Sequence, residues 1–512
     1  MVFIAELRRF CETTSMKGVS RAVNQKNSSA LRVMWSVAVF LLFGYVCYQS
    51  YMLLDDFFQY HVITSSKEGN PNLHMSPVIT LCTMRHIPAS KQAQHPDVTS
   101  AAEYIKLIGD MMVCQDGEDC EHIESLRVEL WSISGYISYI GLHNASLISH
   151  SADGFVLNCY LTVARGITIR TIPCGDFFQI QRHYVLSAFT CFDFSRNPNS
   201  NTTVDGYVYG LDLLIYVDSA APYGLDSLHR MESSKSGILG SISSHGVRDI
   251  SSLEMTGFHI PIGSHVEVET HPLVRSREGP PYGDCRNYSD LKDLTGEQAC
   301  HNKCFEKIIS QMCECQEPES PISKETPLDD RPFCLDAKLP REAVIENINC
   351  RREAMRPKTC FESCPPSCTE VRFKPQIHSN PWPGFDDMND IYNSYIKGSA
   401  MEPKFAAVGD ALSLNCSSEF ECLWKLNRAS LLLKSNFARV SVKQVDRKVL
   451  YLVDSKKTTV VTLMSTLGGA LNLWSGISAM LILEILEVIY RLLSATCRMP
   501  KVSPQIEMKQ DA

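Results

Sequence analysis

The sequence predicts an α+β membrane protein with two transmembrane helices, both termini in the cytosol, and a large disulfide-rich extracellular domain between the helices. Three observations carry that prediction. Two long uncharged runs stand near the ends of the 512-residue chain, basic residues gather ahead of the first, and 18 of the 21 cysteines fall between Cys82 and Cys422.

The N-terminal segment, residues 1–32, carries Arg8, Arg9, Lys17, Arg21, Lys26 and Arg32 against only Glu6 and Glu12. Because Asp55 and Asp56 follow the run, the positive-inside bias places that segment in the cytosol. No charge occurs for 22 residues between Arg32 and Asp55. As a helix this run is roughly 33 Å long, enough for a bilayer core of about 30 Å, so residues 33–54 form the first expected span. A cleaved signal peptide is the rival reading, but the run is too long, starts too late and lacks a small-residue cleavage site. A further 26 uncharged residues, Thr458 to Leu483, allow a second span over 458–490, with length left for tilt or a break. Two crossings return residues 491–512 to the cytosol and make the chain a multi-pass protein of the plasma membrane.

Residues 55–457 then lie outside, where cysteines oxidise. Their 18 cysteines are an even number, and only Cys11, Cys47 and Cys497 fall in or beside the membrane or cytosol. Sequons at Asn144, Asn201, Asn287 and Asn415 are candidate glycosylation sites on this side, whereas Asn27 faces the cytosol. Short Val/Ile/Tyr-rich runs between Ser/Asn/Gly-rich breaks read as strands over residues 55–285, with a more helical insert at about 101–142. Cys285 to Cys368 holds ten cysteines in 84 residues. Cysteines three or four apart share one face of a helix, so two antiparallel arms can be bridged rung by rung. Clustered thiolates also bind zinc, but no Cys-x2-Cys knuckle or paired histidine ligand accompanies them, and no metal is expected. A net charge of −8 argues against nucleic acid as a partner. No nucleophile elbow, HExxH, P-loop or GxGxxG occurs, so neither an enzyme nor a cofactor is expected.

The second run is not a plain anchor. It reads Leu467-Gly468-Gly469-Ala470-Leu471-Asn472-Leu473-Trp474-Ser475-Gly476-Ile477-Ser478, with Glu484 and Glu487 beyond. Glycines there permit close helix packing or a break, and composition alone leaves packing and a pore level. The carboxylates favour the pore, because an acid at a helix centre costs about 2.5–3.5 kcal/mol on insertion scales and is normally kept for an ion path or a paired charge. The plainer alternative is that both sit at the cytosolic interface near Arg491, the more so Glu487, one helical turn closer to water.

These residues resemble the degenerin, epithelial sodium channel and acid-sensing ion channel family. Gly-Gly-x4-Trp-x-Gly-x-Ser with a later Glu looks like the family's pore signature, and Pro77 to Cys82 resembles its first extracellular strand. Pro280 to Cys285 is similar to its wrist loop, and the cysteine ladder closing in Cys364-Pro365-Pro366-Ser367-Cys368 is similar to its thumb. The resemblance covers most of the chain. It implies a homotrimer, or a heterotrimer with related subunits, in membrane lipid. It further implies palm, knuckle, β-ball, finger and thumb subdomains, the thumb over about 285–368, and a sodium-preferring pore blocked by amiloride. Carried over by position, the bridges are Cys82–Cys191, Cys159–Cys174, Cys285–Cys368, Cys300–Cys364, Cys304–Cys360, Cys313–Cys350 and Cys315–Cys334. Cys114 with Cys120 and Cys416 with Cys422 remain as local pairs. Gly476, Ile477 and Ser478 fall at the family's selectivity filter, Glu484 and Glu487 on the lower path for sodium ions, and Asn472 at the amiloride position. Tyr60 and Tyr282 meet at the wrist in this reading, and Gly18 belongs to a cytosolic gating motif.

The chain departs from the family pattern at three places. Lys17-Gly18 stands where the family has His-Gly, and Asn472 replaces the common Gly or Ser. The acidic pair that follows the Gly-Leu-Glu strand of acid-sensing members is here Asp218-Ser219-Ala220-Ala221, a single carboxylate, whereas raising a carboxyl pKa by like charge needs two. The expected opener is therefore an extracellular neuropeptide of the FMRFamide type, as in the peptide-gated branch that the chain also resembles. A proton-gated or constitutively open sodium channel is the alternative, kept open by His61, since imidazole titrates near neutral pH. A non-conducting receptor or adhesion subunit is the third, and the pore text argues against it.

Overall fold

The computed structural model describes residues 2–16, 18–69, 77–83, 87–96, 102–113, 126–127, 129–130, 132–165, 168–185, 188–200, 207–219, 237–244, 257–288, 296–318, 331–356, 358–413, 415–444 and 448–497. Lys17, Cys114, Cys120 and Asn201 lie outside the described residues. In chain order the first elements are α1 (Val2–Thr13), α2 (Val19–Val23), α3 (Ser29–Phe58), β1 (Val62–Gly69), β2 (Val78–Thr83), α4 (Ala89–Gln94), α5 (Ala102–Met111), α6 (Ile133–Ile148) and α7 (Ala152–Phe155). Strands follow: β3 (Val156–Arg165), β4 (Thr168–Pro173), β5 (Phe178–Val185), β6 (Ala188–Arg196), β7 (Tyr207–Tyr216), β8 (Ile238–Ser243), β9 (Phe258–Ile260) and β10 (Ser264–Ser276). After them come α8 (Glu297–Met312), α9 (Arg341–Ala354), α10 (Lys358–Ser363), β11 (Thr369–Pro381), α11 (Phe385–Ile391) and a π-helical turn, Tyr392–Ile396. The chain continues through α12 (Ala406–Leu412), α13 (Glu419–Lys434), β12 (Phe437–Gln444), β13 (Val449–Lys456), α14 (Val460–Ser475) and α15 (Ala479–Cys497).

The chain divides into two compact units. The larger comprises Ser65–Gly279 and Asp284–Val453. Its main sheet runs in the order β13-β10-β12-β7-β3-β4, with β11 also paired to β10 and β1 paired to the outer edge of β13. A five-stranded sheet, β5-β6-β2-β8-β9, provides a second layer. Strand periodicity builds the core. On β7, Leu211, Leu213 and Ile215 enter one core with Ile79, Phe192 and Val440, while Leu214 and Tyr216 enter another with Met388, Phe405 and Leu433. Both faces are thus covered, which explains the unbroken apolar run from Leu213 to Val217. A third core joins α5 and α6 to α9 through Tyr104, Ile108, Tyr136, Val344 and Ile348.

The cysteine-rich region forms helices, not a metal knuckle. Cys300–Cys364 and Cys304–Cys360 tie α8 to α10 and the residue after it, while Cys313–Cys350 ties the end of α8 to α9. Cys285–Cys368, Cys315–Cys334, Cys82–Cys191, Cys159–Cys174 and Cys416–Cys422 are the other bridges among the described residues. Asn287 and Asn415 are exposed. Asn144 is half-buried in α6, where its side-chain amide donates to Ile140 O at 2.9 Å.

The smaller unit comprises Met1–Thr64, Pro280–Gly283 and Asp454–Ala512. Among the described residues, α3 is the one helix long and apolar enough to cross a membrane. It is apolar around most of its circumference yet largely exposed, with only Val46 buried. It outruns the expected 33–54 at both ends because Ser28 Oγ caps its N-terminus and the helix continues through Asp55 and Asp56 to Phe58. The expected second span is divided into α14 and α15, and the three residues between them are Gly476, Ile477 and Ser478.

Candidate functional site

The division follows from one glycine. Gly476 adopts φ 72° and ψ 13°, the left-handed conformation that ends helices and that a β-carbon disfavours. Its N–H donates to Asn472 O at 3.2 Å, and Ile477 N donates to Leu471 O at 3.3 Å, closing α14. Ser478 O accepts from Leu481 N at 3.0 Å and opens α15. The carbonyls of Gly476 and Ile477 accept no backbone hydrogen bond among the described residues. Asn472 is exposed on the last turn of α14. Trp474, two residues on, packs edge to face on Tyr45 of α3, with ring centroids 5.2 Å apart.

Glu484, on α15, is held by the N-terminal segment. Its carboxylate accepts from Thr14 Oγ1 at 2.9 Å and from Ser15 N at 3.1 Å. Sequence reasoning missed Thr14 and Ser15, and no local pattern marks them. Glu487 accepts from Arg491 Nε at 2.9 Å, one turn on along the same helix.

Gly18 sets the path of that N-terminal segment. It is left-handed at φ +85°, and a β-carbon there would stand 2.9 Å from Val39 Cγ2 and 3.3 Å from Trp35 Cε3 on α3. Arg21 lies over the Trp35 ring at 5.0 Å, a cation–π contact that continues the same seam. Gly18→Ala is expected to cost about 1–2 kcal/mol locally from the backbone conformation alone. The readout is amide exchange across residues 19–23, about tenfold faster or more in the variant.

At the other end of α3 the rings of Tyr60 and Tyr282 meet edge to face at 5.3 Å, and Lys456 Nζ lies 4.9 Å over Tyr282. Lys457 pairs with Asp56 at 2.6 Å, and its N–H donates to His61 O at 3.0 Å. The His61 ring contacts Gln59 Oε1 at 2.8 Å and is exposed.

In the larger unit, Asp218 is buried and fully occupied. It accepts from Lys404 Nζ at 2.8 Å, from the Tyr216 hydroxyl at 2.8 Å and from Ser90 N at 2.8 Å. Burial alone would raise its carboxyl, but the bonds from Lys404 and Ser90 outweigh that and hold it at about 2. His150, buried in the same region, is kept neutral by its burial, which lowers it to about 4. Neither group changes charge near neutral pH.

Residues 10–488 match the family of amiloride-sensitive sodium channels (ASC), nearly the whole chain. The chain belongs to that family. Among curated relatives, the degenerin-like protein asic-2 of Caenorhabditis elegans is 23% identical over 511 residues, covering 94% of this chain and 86% of the relative. The bile acid-sensitive ion channel of Rattus norvegicus is 21% identical over 507 residues, with 94% and 86% covered. The epithelial sodium channel subunit alpha of Neoceratodus forsteri is 20% identical over 558 residues, with 95% and 79% covered. Family members are sodium channels of the plasma membrane, not enzymes, and the mixed helix and sheet fold with its many disulfides agrees with membership.

Proposed function

We propose that the chain is the pore-forming subunit of a sodium-selective channel opened by an extracellular neuropeptide of the FMRFamide type and blocked by amiloride near Asn472. The observation that carries the pore assignment is the break at Gly476-Ile477-Ser478. Free carbonyls at membrane depth are tolerated only against protein or water, and carbonyls replacing part of an ion's hydration shell are a recognised basis of selectivity. In this reading α3 and the α14–α15 pair cross the membrane, the termini are cytosolic, and Glu484 and Glu487 line the path below the filter. Tyr60, Tyr282 and His61 act at the outer end of α3, and Gly18 acts in cytosolic gating.

Assembly as a homotrimer or heterotrimer is part of the proposal. It is supported by an exposed apolar stripe on α13, Phe420, Leu423, Trp424 and Leu431, of the kind that marks a protein contact. Peptide rather than proton opening is favoured by Asp218, whose charge Lys404 already balances. Exposed Asn287 and Asn415 are the glycosylation sites this topology favours.

Whole-cell recording from cells expressing the chain alone tests the gate. A sodium current evoked by an FMRFamide-type peptide, insensitive to acid steps and blocked by amiloride, is the expected result. Current evoked by acid, or flowing at rest, rejects the peptide gate in favour of the alternative.

A further inference from the structure

No helical ladder runs across the break between α14 and α15. Gly476 N and Ile477 N donate back to Asn472 O and Leu471 O on the α14 side, and Leu481 N donates to Ser478 O on the α15 side. The carbonyls from Leu473 to Ile477 accept no backbone hydrogen bond among the described residues. A segment with so few bonds of its own keeps a defined shape only where packed neighbours hold it.

Both ends of the break are held to α3. On the α14 side, Trp474, two residues before Gly476, meets the Tyr45 ring at 5.2 Å and 77°. Val46, next to Tyr45, is the one buried residue of α3. On the α15 side, Glu484 is bound by Thr14 and Ser15, and that N-terminal segment is itself seated on α3, with Gly18 against Trp35 and Val39 and Arg21 over the Trp35 ring. The two anchor points, Tyr45 and Trp35, stand about 15 Å apart along one continuous helix. The α15 side thus has hydrogen bonds, a close-packed glycine and a cation–π contact, whereas on the α14 side the Tyr45–Trp474 pair is the one ring contact among the described residues.

We propose that Tyr45 is a positioning residue for the selectivity filter: by holding Trp474 it fixes the Gly476 and Ile477 carbonyls relative to Glu484, and so sets the preference for sodium over potassium. This role rests on the pore reading. Tyr45 touches no ion and acts through Trp474. Carbonyls that are free to shift can follow the larger ion, so a loosened break discriminates less between the two.

The test compares reversal potentials, as sodium is exchanged for potassium, in Tyr45→Leu, Tyr45→Phe, Trp474→Leu, the Tyr45→Leu/Trp474→Leu double variant and Ser478→Ala. Tyr48→Leu is the control, because Tyr48 lies on the same helix, is 60% exposed and makes no ring contact among the described residues. Tyr45→Leu is expected to lower the sodium-to-potassium permeability ratio about two- to tenfold, the loss of one aromatic pair. Tyr45→Phe keeps the ring and should keep the ratio, as should Tyr48→Leu. The double variant should match Trp474→Leu alone, because residues that act through one another are not additive. A ratio that shifts in Ser478→Ala but not in Tyr45→Leu keeps the pore reading and overturns the positioning role, and so do additive effects in the double variant. Unchanged ratios in both single variants reject the pore reading and leave Tyr45 a packing residue. Hydrogen exchange at the Gly476 and Ile477 amides, measured on the full chain in lipid nanodiscs, needs no current. It should quicken about two- to tenfold in Tyr45→Leu and stay unchanged in Tyr45→Phe and Tyr48→Leu. Equal rates in all three overturn the proposal.

Discussion

Glu484→Gln is expected to lower the sodium current about tenfold or more and to erode the preference for sodium over potassium. The carboxylate stands on α15, eight residues beyond Gly476, and accepts from Thr14 Oγ1 at 2.9 Å and Ser15 N at 3.1 Å. Hydrogen bonds to a charged group contribute about 1.5–3 kcal/mol, against about 0.5–1.5 kcal/mol for neutral pairs. Glutamine keeps an acceptor oxygen for Thr14 or Ser15 while removing the charge, so the tether is weakened but not lost. Thr14→Ala does the reverse, keeping the charge and removing one donor. Reversal potentials measured as sodium is exchanged for potassium separate the two roles. A larger shift in Glu484→Gln than in Thr14→Ala identifies the charge as the ion's partner. Equal shifts reduce Glu484 to an anchor for the N-terminal segment, and an unchanged potential in both removes it from the ion path.

What the sequence revealed and what it hid divide along the range of the contacts. The apolar length of α3 and the glycines of the break are local signals, as is the cysteine spacing of the bridged helices. Hydropathy could not see that α3 begins at a Ser28 cap or runs through Asp55 and Asp56, because polar residues end an apolar run before they end a helix. The partners of the important charges were invisible for a different reason. Thr14 and Glu484 are 470 residues apart, Lys404 and Asp218 are 186 apart, and Arg351 and Glu129 are 222 apart. Nothing in the neighbourhood of Asp218 announces that a lysine balances it. A single carboxylate could be read from the sequence; its permanent charge could not.

The largest stability effect is expected at that third pair, where Arg351→Ala should destabilise the larger unit by about 3–5 kcal/mol near neutral pH. Arg351, on α9, places Nη1 2.6 Å from Glu129 and Nε 2.8 Å from Glu317. The side chains of Arg351 and Glu317 are each only 9% exposed. Removing the arginine leaves two carboxylates near each other, with Arg352 3.9 Å from Glu129. Burial already raises the Glu317 carboxyl above its ordinary 4.5, opposed by Arg351 and reinforced by Glu129. Deleting Arg351 therefore raises it further. A carboxyl whose folded value is raised binds its proton more tightly in the folded state than in the unfolded one, so stability is recovered as pH falls through the folded value towards 4.5. Melting temperatures of wild type and Arg351→Ala should accordingly differ most near pH 7.5 and converge towards pH 5. Adding Glu317→Gln should recover part of the deficit at pH 7.5, because a neutral side chain of similar shape strands no charge. A gap that is the same at both pH values, and that Glu317→Gln does not narrow, would assign the loss to the packing of the arginine's aliphatic stem rather than to its charge.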